Sequence, residues 1–168
     1  MNIKEIKSQL KSMVKEHEEV RKSFPIKKLE MDHLDEEHAK IIEKLIEEFG
    51  VIDTERFGGD AAKNASLIVQ HSTPAIRKKY VELQDILPKN KIYKRGYVYM
   101  KDRMLVDENK PQLYATQLKI LNSQGDLAFN PIEDFANIDK RRIEMGLEPF
   151  EAYVKMIETK TGKKPSLL

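Results

Sequence analysis

The sequence has no cysteine. That absence excludes disulfides, thiolate metal sites and a cysteine nucleophile. It also has no apolar run approaching the roughly 20 residues that a membrane span requires. The opening stretch, MNIKEIKSQLKSMVKEHEEV, alternates charge with isolated apolar residues and lacks the continuous apolar core of a secretion signal. These features lead us to expect a cytoplasmic protein without membrane contact. Charge of one sign is lacking too. Thirty Lys and Arg stand against 28 Asp and Glu, a net +2, with both signs mixed along the chain. A duplex-binding protein concentrates basic charge on one face, so duplex nucleic acid is not an expected partner.

Several signatures are also missing: a P-loop, G-x-G-x-x-G, G-x-S-x-G and H-E-x-x-H. The segment Asp32 to His38 is rich in acid and histidine. Its His33 and His38 are five residues apart and do not share a helical face, so a solvated helix start is the better reading. No metal and no cofactor are expected. The Gly58-Gly59-Asp60 run reads as a loop with a capping aspartate, and only weakly as a phosphate cradle.

What is present suits one small globular domain: 168 residues, 40% hydrophobic and 35% charged. Ile3, Ile6, Leu10, Met13, His17 and Val20 form a narrow seam at nearly strict heptad spacing, the mark of an amphipathic helix over residues 1–23. Such a seam can pack on the domain or on a second copy, so residues 3–20 are the candidate surface for a homo-oligomer. Ser23-Phe24-Pro25 breaks that helix. A second helix starts near Asp32 and stops at Gly50, with His38, Ile42, Leu45 and Ile46 in its buried stripe. Asp60 is expected to cap a third helix, AAKNASLIVQHS. Thr73-Pro74 reads as the cap and first residue of a fourth. A fifth covers Lys94 to Asp107.

From Gln112 to Leu121 the pattern shifts to β-formers, and Leu127-Ala128-Phe129 returns as a second strand. Asp139 is expected to cap a short helix that Gly146 stops, and Pro149 to open the last helix, ended by Gly162. The expected fold is therefore mainly α, within the α+β class: a compact multi-helix domain over residues 24–162, one small β-ribbon, the amphipathic N-terminal helix, and a loose tail at 163–168.

The segments ASLIVQHS, YMKDRM, KPQLYATQL and PIEDFANIDKRRIEMGLEPFEAY occur here in that order. Together they resemble the bacterial domain-of-unknown-function family 6624. Its pattern is a Q-H pair closing a helix, then D-R, then Q-x-Y-G-T-Q, then P-I-E-D with D-x-R-R and G-L to a closing tyrosine. The resemblance runs from about Asp32 to about Tyr153. Two positions depart from it: Ala115 stands where the family has glycine, and Val51 where an aromatic is expected. Alanine at 115 argues against a required positive φ there.

The resemblance selects residues and implies no reaction. Gln70 and His71 close a helix, where His71 could act as general base or ligand contact, or complement the helix dipole. Arg103 suits an anion clamp, with Asp102 orienting His71 or a ligand hydroxyl; the alternative is a structural ion pair. In a strand, Gln112, Tyr114 and Thr116 would share one face and line a polar pocket, or simply face solvent, with Gln117 opposite. Arg141 and Arg142 could hold an anion at a helix start, or be stitched to Glu133 or Asp134.

From these residues the leading expectation is binding of a small anionic molecule, with a nucleotide-like one making fullest use of the groups on offer. The second is a metal-independent hydrolase or transferase acting on a phosphorylated or nucleotide-like substrate, with His71 as base and Asp102 as its orienter. The third is an interaction protein that associates through the N-terminal helix.

Overall fold

The structure is a computed structural model that describes residues 1–22 and 28–167. The expected break at Ser23-Phe24-Pro25 lies outside the described residues. The chain forms two compact units, Met1–Tyr97 and Val98–Leu168. The fold is mainly α, with seven α-helices among the described residues and one two-stranded ribbon. The division between units falls inside a helix, where sequence composition does not change.

The first unit is a helical assembly. Helix α1 (Ile3–Lys22) buries Ile6, Leu10, Met13 and His17. It packs on α2 (Lys28–Phe49) and α3 (Gly59–His71). The heptad seam is therefore covered within the chain, and Ile3, 46% exposed, is the seam residue left most open. Each fully buried aliphatic side chain of such a seam is worth about 1.5–3 kcal/mol against exposure. Helix α2 begins earlier than expected and ends where Gly50 takes φ +72°, a conformation glycine reaches without steric cost. Helix α3 has Gly58 as its N-cap, with no side-chain cap, and Asp60 lies inside the first turn. There the carboxylate complements the helix dipole without closing the end. Helix α4 (Pro74–Asp85) begins as the sequence indicates: Ile76 N donates to Thr73 Oγ1 at 3.3 Å, and Pro74 occupies the first turn.

Helix α5 (Lys94–Asp107) starts in this unit at a close approach. A Cβ placed on Gly96 would lie 2.4 Å from Ser66 Cβ and 2.8 Å from Tyr93 Cδ1. Gly96→Ala should therefore destabilise the protein by about 1–2 kcal/mol. Overpacking of this kind costs about 1–3 kcal/mol, and the better helix propensity of alanine recovers up to about 1. The urea midpoint measures it, and Ser66→Gly in the same chain should restore most of the loss.

The second unit continues α5 and adds a ribbon and two helices. Strand β1 (Leu118–Ile120) pairs antiparallel with β2 (Leu127–Phe129), Leu118 opposite Phe129 and Ile120 opposite Leu127. A 3-10 turn (Phe135–Asn137) leads into α6 (Ile138–Glu144), and α7 (Phe150–Thr161) follows. Asp139 does not cap its own helix; its Oδ1 accepts from Phe150 N at 2.6 Å and so caps α7. Ala115, Phe129, Ile138, Phe150, Tyr153, Val154 and Ile157 form the core of this unit. Within the segment expected to be a loose tail, Ser166 is paired with β2. Phe129 N donates to Ser166 O, and Ser166 N to Leu127 O, both at 2.9 Å.

Candidate functional site

The sequence-selected residues separate into two groups. Asp102, Arg103, Gln112, Tyr114, Thr116, Gln117, Arg141 and Arg142 lie in the second unit, and Gln70 and His71 in the first.

In the second unit the organising atom pair is the Asp102 carboxylate, which is fully buried. Oδ1 accepts from Leu113 N at 2.8 Å and Tyr114 N at 3.0 Å. Oδ2 accepts from Thr116 N and Thr116 Oγ1, both at 2.9 Å. Burial pushes the carboxyl above its ordinary range, while the N–H groups of Thr116, Leu113 and Tyr114 pull the other way.

This geometry explains why residues 112–117 are not the expected strand. In a strand successive N–H groups point in opposite directions, so 113 and 114 could not both reach one carboxylate. The chain instead wraps the anion as a backbone nest. Ala115 completes the wrap at φ +54°. The left-handed conformation that Ala115 seemed to argue against is therefore present, and alanine bears it at a cost of about 1–2 kcal/mol. Its methyl is fully buried in the core of the unit, which offsets part of that cost.

The neighbouring polar residues hold the same loop. Gln112, fully buried, donates from Nε2 to Gln117 O at 3.0 Å and Asn130 O at 2.8 Å, and its Oε1 accepts from Gln117 N at 2.9 Å. Gln117 Nε2 donates to Thr116 Oγ1 at 3.1 Å. Arg141 Nε donates to Leu113 O at 2.8 Å, and its Nη2 donates to Glu133 O and Asp134 O. Arg142, 1% exposed, donates from Nη1 to Tyr114 O at 2.5 Å and from Nε to Glu148 O at 2.8 Å, with its guanidinium 4.7 Å over the Tyr153 ring. Asp102, Gln112, Thr116 and the two arginines thus have their hydrogen-bonding groups engaged with protein. For Arg141 the stitch to residues 133 and 134 is what forms. Arg103, next in sequence to Asp102, is exposed, while the Asp102 side chain is turned to the loop.

In the first unit, His71 ends α3 and Arg21 ends the charged face of α1. Arg21 Nη2 lies 2.6 Å from His71 Nε2 and 3.1 Å from Nδ1. Arginine only donates, so a hydrogen bond to either ring nitrogen requires the tautomer in which that nitrogen is the acceptor. Gln70 sits half-buried one residue earlier. Two further histidines join from neighbouring helices. His17 of α1 stacks on His38 of α2 with ring centroids 5.0 Å apart, and lies 5.7 Å from the His71 ring. His38 Nε2 is 3.0 Å from Glu16 Oε2, and His17 Nε2 is 3.4 Å from Asp35 Oδ1. His38, 3% exposed, lies in the buried stripe where its spacing puts it, while His33 faces Glu37 on the surface.

Sequence reasoning missed Arg21, Glu16 and Asp35 as members of this cluster. The available signal was a histidine at a seam position on each of two amphipathic helices, since a polar ring in an apolar stripe needs partners. Among the described residues no group of three or more His, Cys, Asp or Glu is arranged to hold a metal ion. No described helix is long and apolar enough to cross a membrane.

The architecture is that of a mainly α-helical protein with a carboxylate-centred loop clasp in one unit and a histidine cluster in the other. A family model described as "Family of unknown function (DUF6624)" matches residues 16–165, and the chain belongs to that family. No curated protein and no solved structure matches the chain.

Proposed function

We propose that the protein binds a small anionic molecule, of nucleotide-like chemistry, at the Arg21–His71 end of the helical unit. The observation that supports this reading is the exposed Arg21 guanidinium held against the half-buried His71 ring, with the Gln70 amide beside it. An arginine fork matches phosphate or carboxylate oxygens, and the imidazole and amide add directional hydrogen bonds. The loop clasp supports the reading by contrast, because its nest already carries the protein's own carboxylate.

A second reading, a metal-independent hydrolase or transferase with His71 as base, draws support from the same pair. An unprotonated imidazole nitrogen beside a guanidinium combines a base with a group that stabilises negative charge. Asp102, bound to the loop, would not be the orienter in it. Turnover separates the two: ligand recovered chemically intact after long incubation leaves binding alone.

Thermal-shift titration with pyrophosphate and ADP tests the binding site. We expect a saturable rise in Tm for the wild type, since a ligand at 100 times its Kd adds about 2.7 kcal/mol. Arg21→Ala should weaken binding by at least about tenfold, the usual weight of a charge-assisted pair. Loss of the shift in Arg103→Ala, with Arg21→Ala unchanged, would move the site to α5 and defeat this placement.

A further inference from the structure

The histidine cluster has a property that ligand binding does not need. His17 is 2% exposed, and both its ring nitrogens lack a well-aligned hydrogen-bond partner, as does His38 Nδ1. Buried imidazoles without partners are costly, and a buried imidazolium is costlier. The charged and titratable groups facing His17 among the described residues come from all three helices. They are Glu16 and Arg21 on α1, Asp35 and His38 on α2, and His71 on α3.

We propose that His17, packed against His38 and His71 where α1, α2 and α3 meet, is a proton-operated latch: its neutral ring seals the last turns of α1 into the unit, and its protonation releases them.

The surroundings do not compensate a cation at this position. Burial is the largest cause that holds the His17 ring down to about 4, followed by His38 and Arg21, with Glu16 opposing. Glu16 is engaged elsewhere, accepting from Ser12 Oγ at 2.8 Å and lying 3.0 Å from His38 Nε2. Asp35 Oδ1 lies 3.4 Å from His17 Nε2, and burial raises the Asp35 carboxyl above its ordinary range, which weakens it as a counter-charge. The sign follows from proton counting. Between about 4 and the ordinary 6.5, the released ring takes up a proton that the docked ring refuses. The contribution of neutral His17 to docking is therefore fully present above about pH 6.5 and is lost progressively as pH falls towards 4. From pH 7 to pH 5 the released form gains roughly 20-fold over the docked form. Release would also carry Arg21 away from His71 and so dismantle the anion site. The latch itself rests on His17 and stands whether or not that site binds an anion.

Hydrogen exchange of the full chain, corrected for the intrinsic pH dependence of exchange, tests the latch. At pH 5 against pH 7, the amides of residues 13–22 should lose about 20-fold in protection, while those of α6 and α7 keep theirs. His17→Phe, whose ring fills similar space and cannot titrate, should reduce the change to less than about threefold. Unchanged protection over residues 13–22, an equal loss in His17→Phe, or a uniform loss over both units would each overturn the proposal. Should the variant not fold, the wild-type His17 ring titration by NMR decides: a midpoint near 4 supports the latch, and one near 6.5 overturns it.

Discussion

Asp102→Ala is expected to destabilise the protein by about 3–5 kcal/mol, the range for removing one partner of a buried charged hydrogen-bond set. The loss does not come mainly from the charge itself. Burial raises the Asp102 carboxyl above its ordinary range, which offsets part of what its charge contributes. The loss comes from what alanine leaves behind. The N–H groups of Leu113, Tyr114 and Thr116 and the Thr116 hydroxyl all point at the vacated space. Leu113, Tyr114 and Thr116 cannot find partners in one another, because the loop was shaped around an acceptor. Asp102→Asn separates the two effects. It preserves shape and one acceptor oxygen but turns an NH2 group towards donors, so it should cost about half as much. Urea unfolding measures both. An Asp102→Ala variant within about 0.5 kcal/mol of wild type would show that the loop does not depend on this carboxylate.

Arg142→Ala is expected to cost about 3–4 kcal/mol by the same measurement. The side chain is nearly inaccessible and makes two charge-assisted hydrogen bonds to backbone carbonyls, one on Tyr114 and one on Glu148. Its guanidinium also covers the Tyr153 ring. Arg142→Lys should recover only a part, since an ammonium has neither the planar fork nor the stacking surface. Tyr114 links the two predictions: its N–H donates to Asp102, and its carbonyl accepts from Arg142. The double variant Asp102→Ala/Arg142→Ala should therefore cost less than the sum of the singles, by about 0.5–3 kcal/mol. Strict additivity would mean that the two side chains hold the loop independently.

The helices were legible because hydrophobic period and end signals agree. Thr73-Pro74 opens α4, and Gly50, Gly146 and Gly162 each take positive φ next to a helix end. The segment 112–117 misleads for a physical reason. Its alternation of Tyr and Thr with Leu and Ala satisfies a strand template, but the N–H directions are set by a carboxylate ten or more residues earlier in the chain. No local pattern carries that information. The same holds for Asp139, which the sequence suggests as a cap for α6 but which lies in that helix's first turn and accepts from the first N–H of α7. Of the polar residues that the sequence singles out, Asp102, Gln112, Thr116, Arg141 and Arg142 hold the loop of the second unit. Their number reflects the demand of one buried carboxylate and two arginines for fully matched partners. The first-unit cluster was half visible. His17, His38 and His71 each stand out on a helix, but their meeting depends on how three helices pack, and Arg21 looks like any surface arginine until its partner is seen.

The distribution of roles between the two units is the central claim: architecture at Asp102, chemistry at His71. It is tested most directly by NMR of the chain carrying 13C-labelled histidine, during titration with pyrophosphate. The four histidines give separate ring signals, and the exposed His33 serves as internal control. The account predicts that the His71 ring signals move saturably while those of His33 do not. Backbone signals of the loop around Asp102 should stay in place. A His71 ring that is indifferent to millimolar pyrophosphate, with movement confined to residues 112–117 or to Arg103, would contradict it.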